Sequence, residues 1–283
     1  MPVATLHVVA TPIGNLEDIT LRALRVLREV ALIAAEDTRR TGRLLTHFGI
    51  TTPTLSYHEH NQRRRIPELL RRLSAGDAVA LVTDAGTPGI SDPGTELVDA
   101  CIDAGIPVDP VPGASALLAA AMASGFPLRP LLWLGFAPSR SHDRNRFIAS
   151  IKDTESTVCF LEAPHRIVAT LTAMESLLGD RQILLARELT KAHQELLRGS
   201  AHDVRERLRS LKGEFTIVVS PITTAALGEL PGSDESVLED LWRMAETAAF
   251  PTKRALVTEV ARRHGRQSRE VYALLLKQKS SSE

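Results

Sequence analysis

The sequence predicts an α/β fold with two α/β domains that share a cleft, followed by a small C-terminal helical domain. Short apolar runs alternate with segments of helical spacing from residue 6 to residue 221, as is typical of strand–helix units. Beyond residue 237 only the helical spacing continues. At 283 residues and 43% hydrophobic content, the chain is long enough for more than one globular domain. We therefore expect domains at 1–125 and 126–221, a linker at 222–236 and a helical tail at 237–283.

The first 125 residues contain five predicted strand–helix units, which favour a mostly parallel sheet covered on both faces. Strands are predicted at 6–10, 31–35, 54–57 and 78–82, with a fifth that ends at Pro112. Helical spacing follows at 20–30 and 41–48, and Asn61 is expected to cap the third helix. Asp92 and Pro93 match a helix N-cap followed by proline at the first helical position, and Ser115 is expected to open the fifth helix.

The alternation resumes after Pro127 and predicts the second α/β domain. Strands are predicted at 131–136, 157–161, 183–186 and 215–219. A polar loop is predicted at 138–145, with helices around 147–151, up to Leu178, and over 204–211. Between 222 and 236, glycine, proline, serine and aspartate occur without periodicity, which indicates the linker.

The helical tail has a local excess of positive charge, although the formal net charge of the whole chain is zero. Between residues 251 and 279, only Glu259 and Glu270 oppose eight basic residues. These are Lys253, Arg254, Arg262, Arg263, Arg266, Arg269, Lys277 and Lys279. Basic helices on either side of a break at His264-Gly265 favour a nucleic-acid contact. A solvated helical tail or a dimerisation element is the alternative interpretation.

Several kinds of protein are disfavoured by the sequence. Cys101 and Cys159 each lie in an apolar run, which indicates buried reduced thiols. Neither the Walker A pattern nor the GxGxxG dinucleotide pattern occurs in the places where it would be expected. No segment resembles a signal peptide or reaches bilayer length, so we expect a cytoplasmic protein that does not enter the membrane. His58 and His60 alternate as metal ligands sometimes do, but a polar strand end is the favoured interpretation.

The stretch from residue 80 to residue 123 contains two glycine-bearing strand-to-helix turns. Glycine lets a backbone approach a ligand closely, and open α/β sheets bind ligands at the carboxyl ends of their strands. A small-molecule site is therefore predicted, with ordinary α/β turns as the alternative. Charged clusters at 36–39, 58–61, 162–166 and 187–191 follow other predicted strands. We expect clusters from the two domains to face a shared cleft.

Eight motifs, in order along residues 6–221, closely resemble the tetrapyrrole methylase superfamily. They are VATPIGNLEDIT (9–20), AAEDTRRT (34–41), LSYHEHN (55–61), LVTDAGTPGISDPG (81–94), VPGASA (111–116), LEAPHR (161–166), ARELTKAHQE (186–195) and GEFTIVV (213–219). AEDTR, DAGTPGISDPG and RELTK are similar to the branch of the superfamily that methylates small-subunit ribosomal RNA. The basic tail is similar to the small C-terminal helical domain of that branch.

The resemblance implies two α/β domains of the tetrapyrrole methylase type, a homodimer, and S-adenosylmethionine bound in the cleft. Backbone groups at the strand-end turns are expected to hold the cofactor. Carried over by motif, the cofactor contacts are Pro12, Ile13, Asp84, Thr87, Pro88, Ile90, Ala114, Ser115, Leu161, Phe215 and Thr216.

The implied reaction is methyl transfer to a cytidine 2′-hydroxyl in the decoding region of 16S rRNA, either free or in the assembled small ribosomal subunit. A 2′-hydroxyl is a poor nucleophile at neutral pH, so a general base or an electrostatic aid is expected. The catalytic candidates are Glu36, Asp37, His58, Glu59 and Lys191, and their spacing does not choose among them. The expected RNA contacts are Arg39, Arg63, Arg64, Arg65, Lys253, Arg254, Arg262, Arg263 and Arg266.

Two other functions stay open on the sequence alone. A methylase of a small tetrapyrrole or corrinoid would use the same fold but would give the basic tail no role. A non-catalytic RNA-binding or assembly factor would not need the intact DAGTPGISDPG and PGASA loops.

Overall fold

A computed structural model of the chain describes residues 4–222, 234–247, 252–264 and 266–280. The chain divides into two compact units, Met1–Pro221 and Ile222–Glu283. The predicted α/β fold with a C-terminal helical region is confirmed, since two five-stranded sheets with helices precede three further helices. Within the described ranges, no helix is both long enough and apolar enough to cross a membrane.

Five parallel strands form the first sheet. They are β1 (Leu6–Val9), β2 (Leu32–Ala35), β3 (Thr54–Ser56), β4 (Val79–Val82) and β5 (Val108–Val111). Their order is β3-β2-β4-β1-β5, and every neighbouring pair is parallel, as the alternation predicts. Because parallel strands share one carboxyl edge, the loops that follow β1, β4 and β5 meet at that edge.

Four helices cover the two faces of the first sheet. Helices α1 (Leu21–Glu29) and α2 (Thr38–His47) pack on one face, and α3 (Gln62–Ser74) and α4 (Thr95–Asp103) pack on the other. Strands β2 and β4 are buried along their whole length, so their alternate side chains enter opposite clusters. This double burial explains why both strands are continuous apolar runs.

The predicted start of α4 is wrong. Asp92 and Pro93 stay in the loop after β4, and the helix begins at Thr95 after Gly94. Gly94 has a φ of +155°, and a Cβ there would stand 3.1 Å from Leu81 Cδ2, so the turn has no room for a side chain. Ser115, by contrast, opens its helix as predicted.

Asn61, the third predicted cap, has a role other than the predicted one. Asn61 does stand at the start of α3, but its side chain does not cap the helix. Its Oδ1 atom instead accepts a hydrogen bond from the backbone N–H of His58 at 2.9 Å. The amide therefore holds the turn after β3 rather than the first turn of the helix.

The second sheet contains β6 (Leu131–Phe136), β7 (Thr157–Glu162), β8 (Ile183–Arg187), β9 (Glu195–Gly199) and β10 (Phe215–Val219). Their order is β6-β7-β10-β8-β9, with a parallel β6–β7 pair and antiparallel pairs elsewhere. Strand β9 was not predicted, because its leucine pair at 196–197 is too short to show a periodic pattern. Strand β10 runs between β7 and β8, so Phe215 at its start lies beside the carboxyl ends of both.

Helices α6 (Ser141–Ser150), α7 (Ile167–Leu178) and α8 (Ala201–Arg207) pack on one face of the second sheet. Two predicted boundaries are wrong here. Helix α6 begins within the predicted polar loop at 138–145, and α8 ends before Leu211. A Ser200–Asp203 capping box marks the true start of α8.

Helix α5 (Ala116–Ser124) joins the two sheets, because it packs against the second sheet although it follows β5 of the first. Ala120 is fully buried with Cys159, Leu184 and Val218 on the face of the second sheet that α6, α7 and α8 leave free. The small alanine side chains of α5 permit this close packing. The loop before α5 is thereby held between the two sheets.

The second unit contains α9 (Asp234–Thr247), α10 (Lys253–Arg263) and α11 (Ser268–Ser280), in agreement with the predicted helical tail. Its own apolar cluster includes Leu241, Val257, Val260 and Val271. Residues 234–236, which the sequence places in the linker, form the first turn of α9. Residues 223–233 of that linker lie outside the described ranges.

Candidate active site

The loops after β1 and β4 are joined side by side at the carboxyl edge of the first sheet. The N–H of Thr11 donates to the carbonyl of Gly86 at 2.8 Å, and Gly86 N–H donates back to Thr11 at 3.0 Å. Gly86 has a φ of +81°, and a Cβ there would lie 3.4 Å from Ile13 Cγ2. The loop after β5 is attached to them because Thr87 Oγ1 donates to the carbonyl of Ala114 at 3.2 Å. We call the joined β1 and β4 loops, residues 11–16 and 83–94, the loop wall.

A cavity of about 280 Å³ lies between the loop wall and the second sheet. This volume is close to the lower end of the range for small-molecule sites, about 300–1,000 Å³. The cavity is lined by Ile13, Ala85, Gly86, Thr87, Ile90, Ser91, Asp92, Ser115, Ala116, Leu117, Trp133, Phe136, Leu161, Glu162, Ala163, Pro164, Leu189, Glu214, Phe215 and Thr216. Its walls are mainly apolar, and its charged lining residues are all acidic.

Seven of the eleven predicted cofactor contacts line this cavity. They are Ile13, Thr87, Ile90, Ser115, Leu161, Phe215 and Thr216. Pro12 and Asp84 instead line a second pocket. Pro88 and Ala114 line neither of these two sites, although the carbonyl of Ala114 holds Thr87 in place.

Sequence reasoning missed four cavity residues that bring aromatic surface or charge. Trp133 and Phe136 come from β6, where the pattern shows only an apolar strand. Trp133 Nε1 donates to the carbonyl of Ile90 at 3.4 Å, which ties the second sheet to the loop wall. Asp92 and Glu214 supply the missed carboxylates. The available signal was the glycine- and proline-rich loop around Asp92, because open α/β sheets bind ligands at loops that follow strand ends.

Asp92 is the most perturbed acid of the cavity. Burial raises its pKa to about 6, and repulsion from Glu36, Asp84 and Glu214 adds to the rise. Within the described part of the chain, its carboxylate has no hydrogen-bond or ion-pair partner. A cationic ligand would relieve this unfavourable environment, because an opposite charge favours the ionised form.

Glu162 also lines the cavity, but its charge is already satisfied. Arg166 Nε donates to Glu162 Oε1 at 2.9 Å, and Ala163 N–H donates to the same oxygen at 2.7 Å. The Thr170 hydroxyl donates to the other oxygen. A buried carboxylate with this many donors holds the end of β7 in place and has little capacity left for a ligand.

Two of the predicted catalytic acids lie at the cross-link between β2 and β4. Asp84 N–H donates to Glu36 Oε2 at 3.1 Å, and Asp37 N–H donates to Asp84 Oδ1 at 3.0 Å. Burial raises the pKa of Glu36, although the hydrogen bond from Asp84 opposes the rise. Asp37 instead caps α2, and its hydrogen bonds with Arg39 hold its pKa at about 2. Glu36 is therefore the better proton acceptor of the two.

His58 and Glu59 follow β3. The Nδ1 atom of His58 is buried and has no hydrogen-bond partner in the described structure, and its ring centroid is 5.9 Å from that of His60. The charge of protonated His58 would lower the pKa of Glu36, so the two groups are electrostatic neighbours. Glu59 is exposed. Among the described residues, no group of three or more histidine, cysteine or acidic side chains is arranged to hold a metal.

Lys191 lies in a strained loop between β8 and β9 of the second sheet. Its Nζ donates to Glu188 Oε1 at 2.8 Å and to Glu214 Oε2 at 3.0 Å. Burial alone would lower the pKa of Lys191, but the two carboxylates raise it above its usual value. Glu188 and Thr190 have φ values of +51° and +65°, which non-glycine residues rarely adopt. Thr190 Oγ1 accepts from Asn15 N–H at 3.2 Å, so this loop is anchored on the loop wall.

The second pocket, of about 200 Å³, uses the other side chains of the loop wall. Consecutive residues face different sites, because Ile13 and Ala85 line the cavity while Pro12 and Asp84 line the second pocket. The remaining lining residues are Thr11, Gly14, Leu16, Arg40, Thr41, Arg43, Leu44 and Thr83. None of the five predicted catalytic residues lines either site.

The predicted RNA contacts of the first unit differ in how free their charges are. Arg63 and Arg64 are exposed on α3. Arg65 is half-buried and forms an ion pair with Glu68 at 2.7 Å. Arg39 has an exposed side chain but is paired with Asp37 at 2.9 Å.

The same division holds in the second unit. Lys253 and Arg254 are exposed at the start of α10. Arg263 is paired with Glu259 at 3.2 Å, and Arg266 with Asp234 at 2.6 Å. The side chain of Arg262 lies outside the described part of the structure.

Comparisons with known proteins identify relatives over most of the chain. The family model of the Tetrapyrrole (Corrin/Porphyrin) Methylases matches residues 5–205. The chain is 48% identical over 238 residues to the Ribosomal RNA small subunit methyltransferase I of Synechocystis sp., a match that covers 83% of this chain and 84% of that protein. It is 42% identical over 268 residues to the protein of the same name from Micromonospora olivasterospora, with 94% and 79% covered. Since the first unit ends at residue 221, the second match extends into the helical tail.

A similar fold occurs in the crystal structure of uroporphyrin-III C-methyltransferase from Thermus thermophilus complexed with S-adenyl homocysteine. The TM-score is 0.53 at 21% sequence identity, and the match covers 76% of this chain and 97% of that one. At this level of identity the similarity establishes the fold and leaves the substrate open.

Proposed function

The chain belongs to the tetrapyrrole methylase family, and we infer that this rRNA methyltransferase transfers a methyl group from S-adenosylmethionine to a cytidine 2′-oxygen. The 48% identity over 238 residues to a Ribosomal RNA small subunit methyltransferase I carries the proposal. We place the target in the decoding region of 16S rRNA, as the AEDTR, DAGTPGISDPG and RELTK motifs imply. Such a substrate would be met in the cytoplasm, as free RNA or in the small ribosomal subunit.

The cavity is the site that we assign to S-adenosylmethionine, which when bound supplies a methyl group activated by a sulfonium cation. The apolar and aromatic lining, including Ile90, Trp133 and Phe136, suits a purine ring. Asp92 and Glu214 provide negative charge for the cationic part of the cofactor. Asp92 is the stronger candidate, because Glu214 already holds Lys191.

Attack by the 2′-oxygen on the methyl group requires that the hydroxyl lose its proton, either to a base during the attack or before it. Glu36 and His58 are the predicted catalytic residues that we retain as base candidates. The pKa of Glu36 is raised, and His58 has an unpartnered Nδ1 in the described structure. Asp37 is committed to the α2 cap, and Lys191 orients Glu214 through a direct ion pair.

RNA phosphates are proposed to contact the exposed basic residues Arg63, Arg64, Lys253 and Arg254. Arg65, Arg263 and Arg266 are weaker candidates because their guanidinium groups already hold carboxylates. We keep Arg39 as a contact because its side chain is 87% exposed in spite of its ion pair.

We also propose that the protein forms a homodimer. Leu118 and Met122 are 58% and 80% exposed, and they lie four residues apart on α5. Side chains at this spacing share one helix face, and large exposed apolar side chains that cluster on one face are typical of association surfaces. Measurement of the molecular mass in solution, with Met122→Glu as the disrupting variant, tests this assignment.

The experiment that tests the proposed function is transfer of labelled methyl groups to small ribosomal subunits from cells that lack this protein. The RNA is then hydrolysed with alkali, which needs a free 2′-hydroxyl at the cleaved linkage. We expect label in an alkali-resistant dinucleotide that contains cytidine. Label elsewhere in RNA would contradict the 2′-oxygen assignment, and a wild-type protein that binds cofactor without labelling RNA would favour a tetrapyrrole or corrinoid substrate.

A further inference from the structure

The second pocket has a basic wall that comes from one face of α2. Arg43 and Leu44 follow Arg40 by three and four residues and therefore lie on the same side of the helix as Arg40. Opposite them stand Pro12 and Asp84 of the loop wall. The pocket thus combines two guanidinium groups with a single carboxylate.

The charge in this pocket is only partly neutralised. Arg40 forms an ion pair with Asp84 of the loop wall, in which Nη1 lies 3.4 Å from Oδ2. Arg43 is exposed and has no hydrogen-bond or ion-pair partner among the described residues. The side chains that line the pocket, two arginines and one aspartate, together carry a net charge of +1.

The hydrogen-bonding groups of the pocket also suit an anion. The Thr41 hydroxyl has no hydrogen-bond partner in the described structure, whereas the Thr11 hydroxyl already donates to the carbonyl of Thr83. A guanidinium fork binds the oxygens of a phosphate with well-defined geometry. The N-terminus of α2 is already capped by the side chain of Asp37.

The location of the pocket connects it with the cavity. Both sites use the loop wall, whose neighbouring residues Pro12 and Ile13 face one site each. An RNA strand bound across the wall can therefore place its target nucleotide beside the cofactor held in the cavity and a neighbouring phosphate at the pocket. From the proposed function, on which this step rests, we propose that Arg40, Thr41 and Arg43 bind an RNA backbone phosphate beside the target nucleotide.

The test compares Arg43→Gln and Arg43→Lys with the wild-type protein in labelled-methyl transfer to small ribosomal subunits at several salt concentrations. Arg43 is chosen because its removal breaks no ion pair in the described structure. Arg25→Gln is the matched control, since it removes one exposed arginine from α1 of the same unit, where Arg25 is paired with Glu29.

For Arg43→Gln we expect the KM for the subunit to rise about tenfold and the salt slope to fall by about one, because one phosphate contact is lost. The turnover number and the cofactor Kd stay at wild-type values. Arg43→Lys retains the slope because the charge remains, although its KM rises through loss of the fork. Arg25→Gln stays within about twofold of wild type.

Three results would overturn the phosphate site: a wild-type KM and slope in Arg43→Gln, equal effects in Arg43→Gln and Arg25→Gln, or a weaker cofactor Kd in Arg43→Gln. These results leave the methyltransferase assignment intact, since the wild-type protein would still label RNA. Absence of RNA labelling by the wild-type protein would remove the proposed function and the phosphate site together.

Discussion

The cavity and the second pocket share the loop wall but differ in charge. Every charged side chain that lines the cavity is acidic, and Asp92 there has no partner in the described structure. The second pocket contains Arg40 and Arg43 with the single acid Asp84. This difference matches the proposed reactants, because a sulfonium cofactor is cationic and an RNA backbone is anionic. Adjacent residues of one wall can thus separate two ligands of opposite charge.

Alternation along the wall explains how so short a segment can serve both sites. Pro12 and Ile13 point to different sites, as do Asp84 and Ala85. The paired backbones of Thr11 and Gly86 keep the two loops in register. Movement of one loop would therefore affect both sites, whereas a change of one side chain should affect only one.

The largest expected effect comes from Asp92→Asn, which keeps the shape of the side chain and removes its charge. Loss of a charge-assisted contact of about 1.5–3 kcal/mol should weaken cofactor binding by about 10- to 150-fold. Calorimetry of wild type and variant, which gives the cofactor Kd of each, measures this loss of affinity. Asp99→Asn, at an exposed position of α4, is the control.

The same variant also tests the separation between the two sites. If the loop wall keeps them independent, Asp92→Asn should leave the KM for RNA near its wild-type value. An unchanged cofactor Kd would remove Asp92 from the cofactor site. A weaker Kd accompanied by an equally large loss of RNA affinity would show that the sites are not separate.

A smaller effect is expected when a side chain is added to the loop wall. In Gly86→Ala, an L-residue must adopt a φ of +81°, so unfolding free energy should fall by about 1–2 kcal/mol. Gly42→Ala is a control of opposite sign, since nothing lies within 4 Å of a Cβ there in α2. That helical substitution should add about 0.5–1 kcal/mol. Denaturant unfolding measures both values, and equal stability of the two variants would contradict the strained turn.

The smallest expected effect is a pH dependence of cofactor affinity near pH 6. Burial, together with neighbouring acids, raises the pKa of Asp92 to about 6, so the carboxyl is ionised above this pH and protonated below it. A cationic cofactor prefers the ionised form, and its affinity should therefore be constant well above pH 6 and fall as the pH drops through it. The decrease should not exceed about tenfold per pH unit. Asp92→Asn should lose this dependence, and its persistence in the variant would assign it to another group.

The parallel first sheet was predictable because its signals are local. Strands β2 and β4 are continuous apolar runs, and Ser115 caps α5 through its own backbone neighbours. The glycine- and proline-rich loops also identified the edge of the sheet where the cavity lies. Seven of the predicted cofactor contacts line the cavity for this reason, since each belongs to a motif at a strand end or a turn.

The catalytic and RNA assignments made from the sequence were less specific. Spacing could not separate Glu36 from Asp37, because it does not show that Asp37 caps α2 while Glu36 is partly buried. Nor could it separate Arg64 from Arg65, although only Arg65 pairs with Glu68. These roles depend on which neighbours remove a side chain from solvent or occupy its hydrogen bonds.

By itself, the sequence determined the α/β class, the parallel first sheet, the helical tail and the glycine-rich loops at the strand ends, since backbone preference and hydrophobic periodicity act within a few residues. Only the tertiary structure decided that β10 lies between β7 and β8 and that Trp133 meets the loop after β4. It also decided that Asp92 stands among Glu36, Asp84 and Glu214. Charge, pKa and pocket shape arise from residues far apart in the chain, so no local pattern contains them.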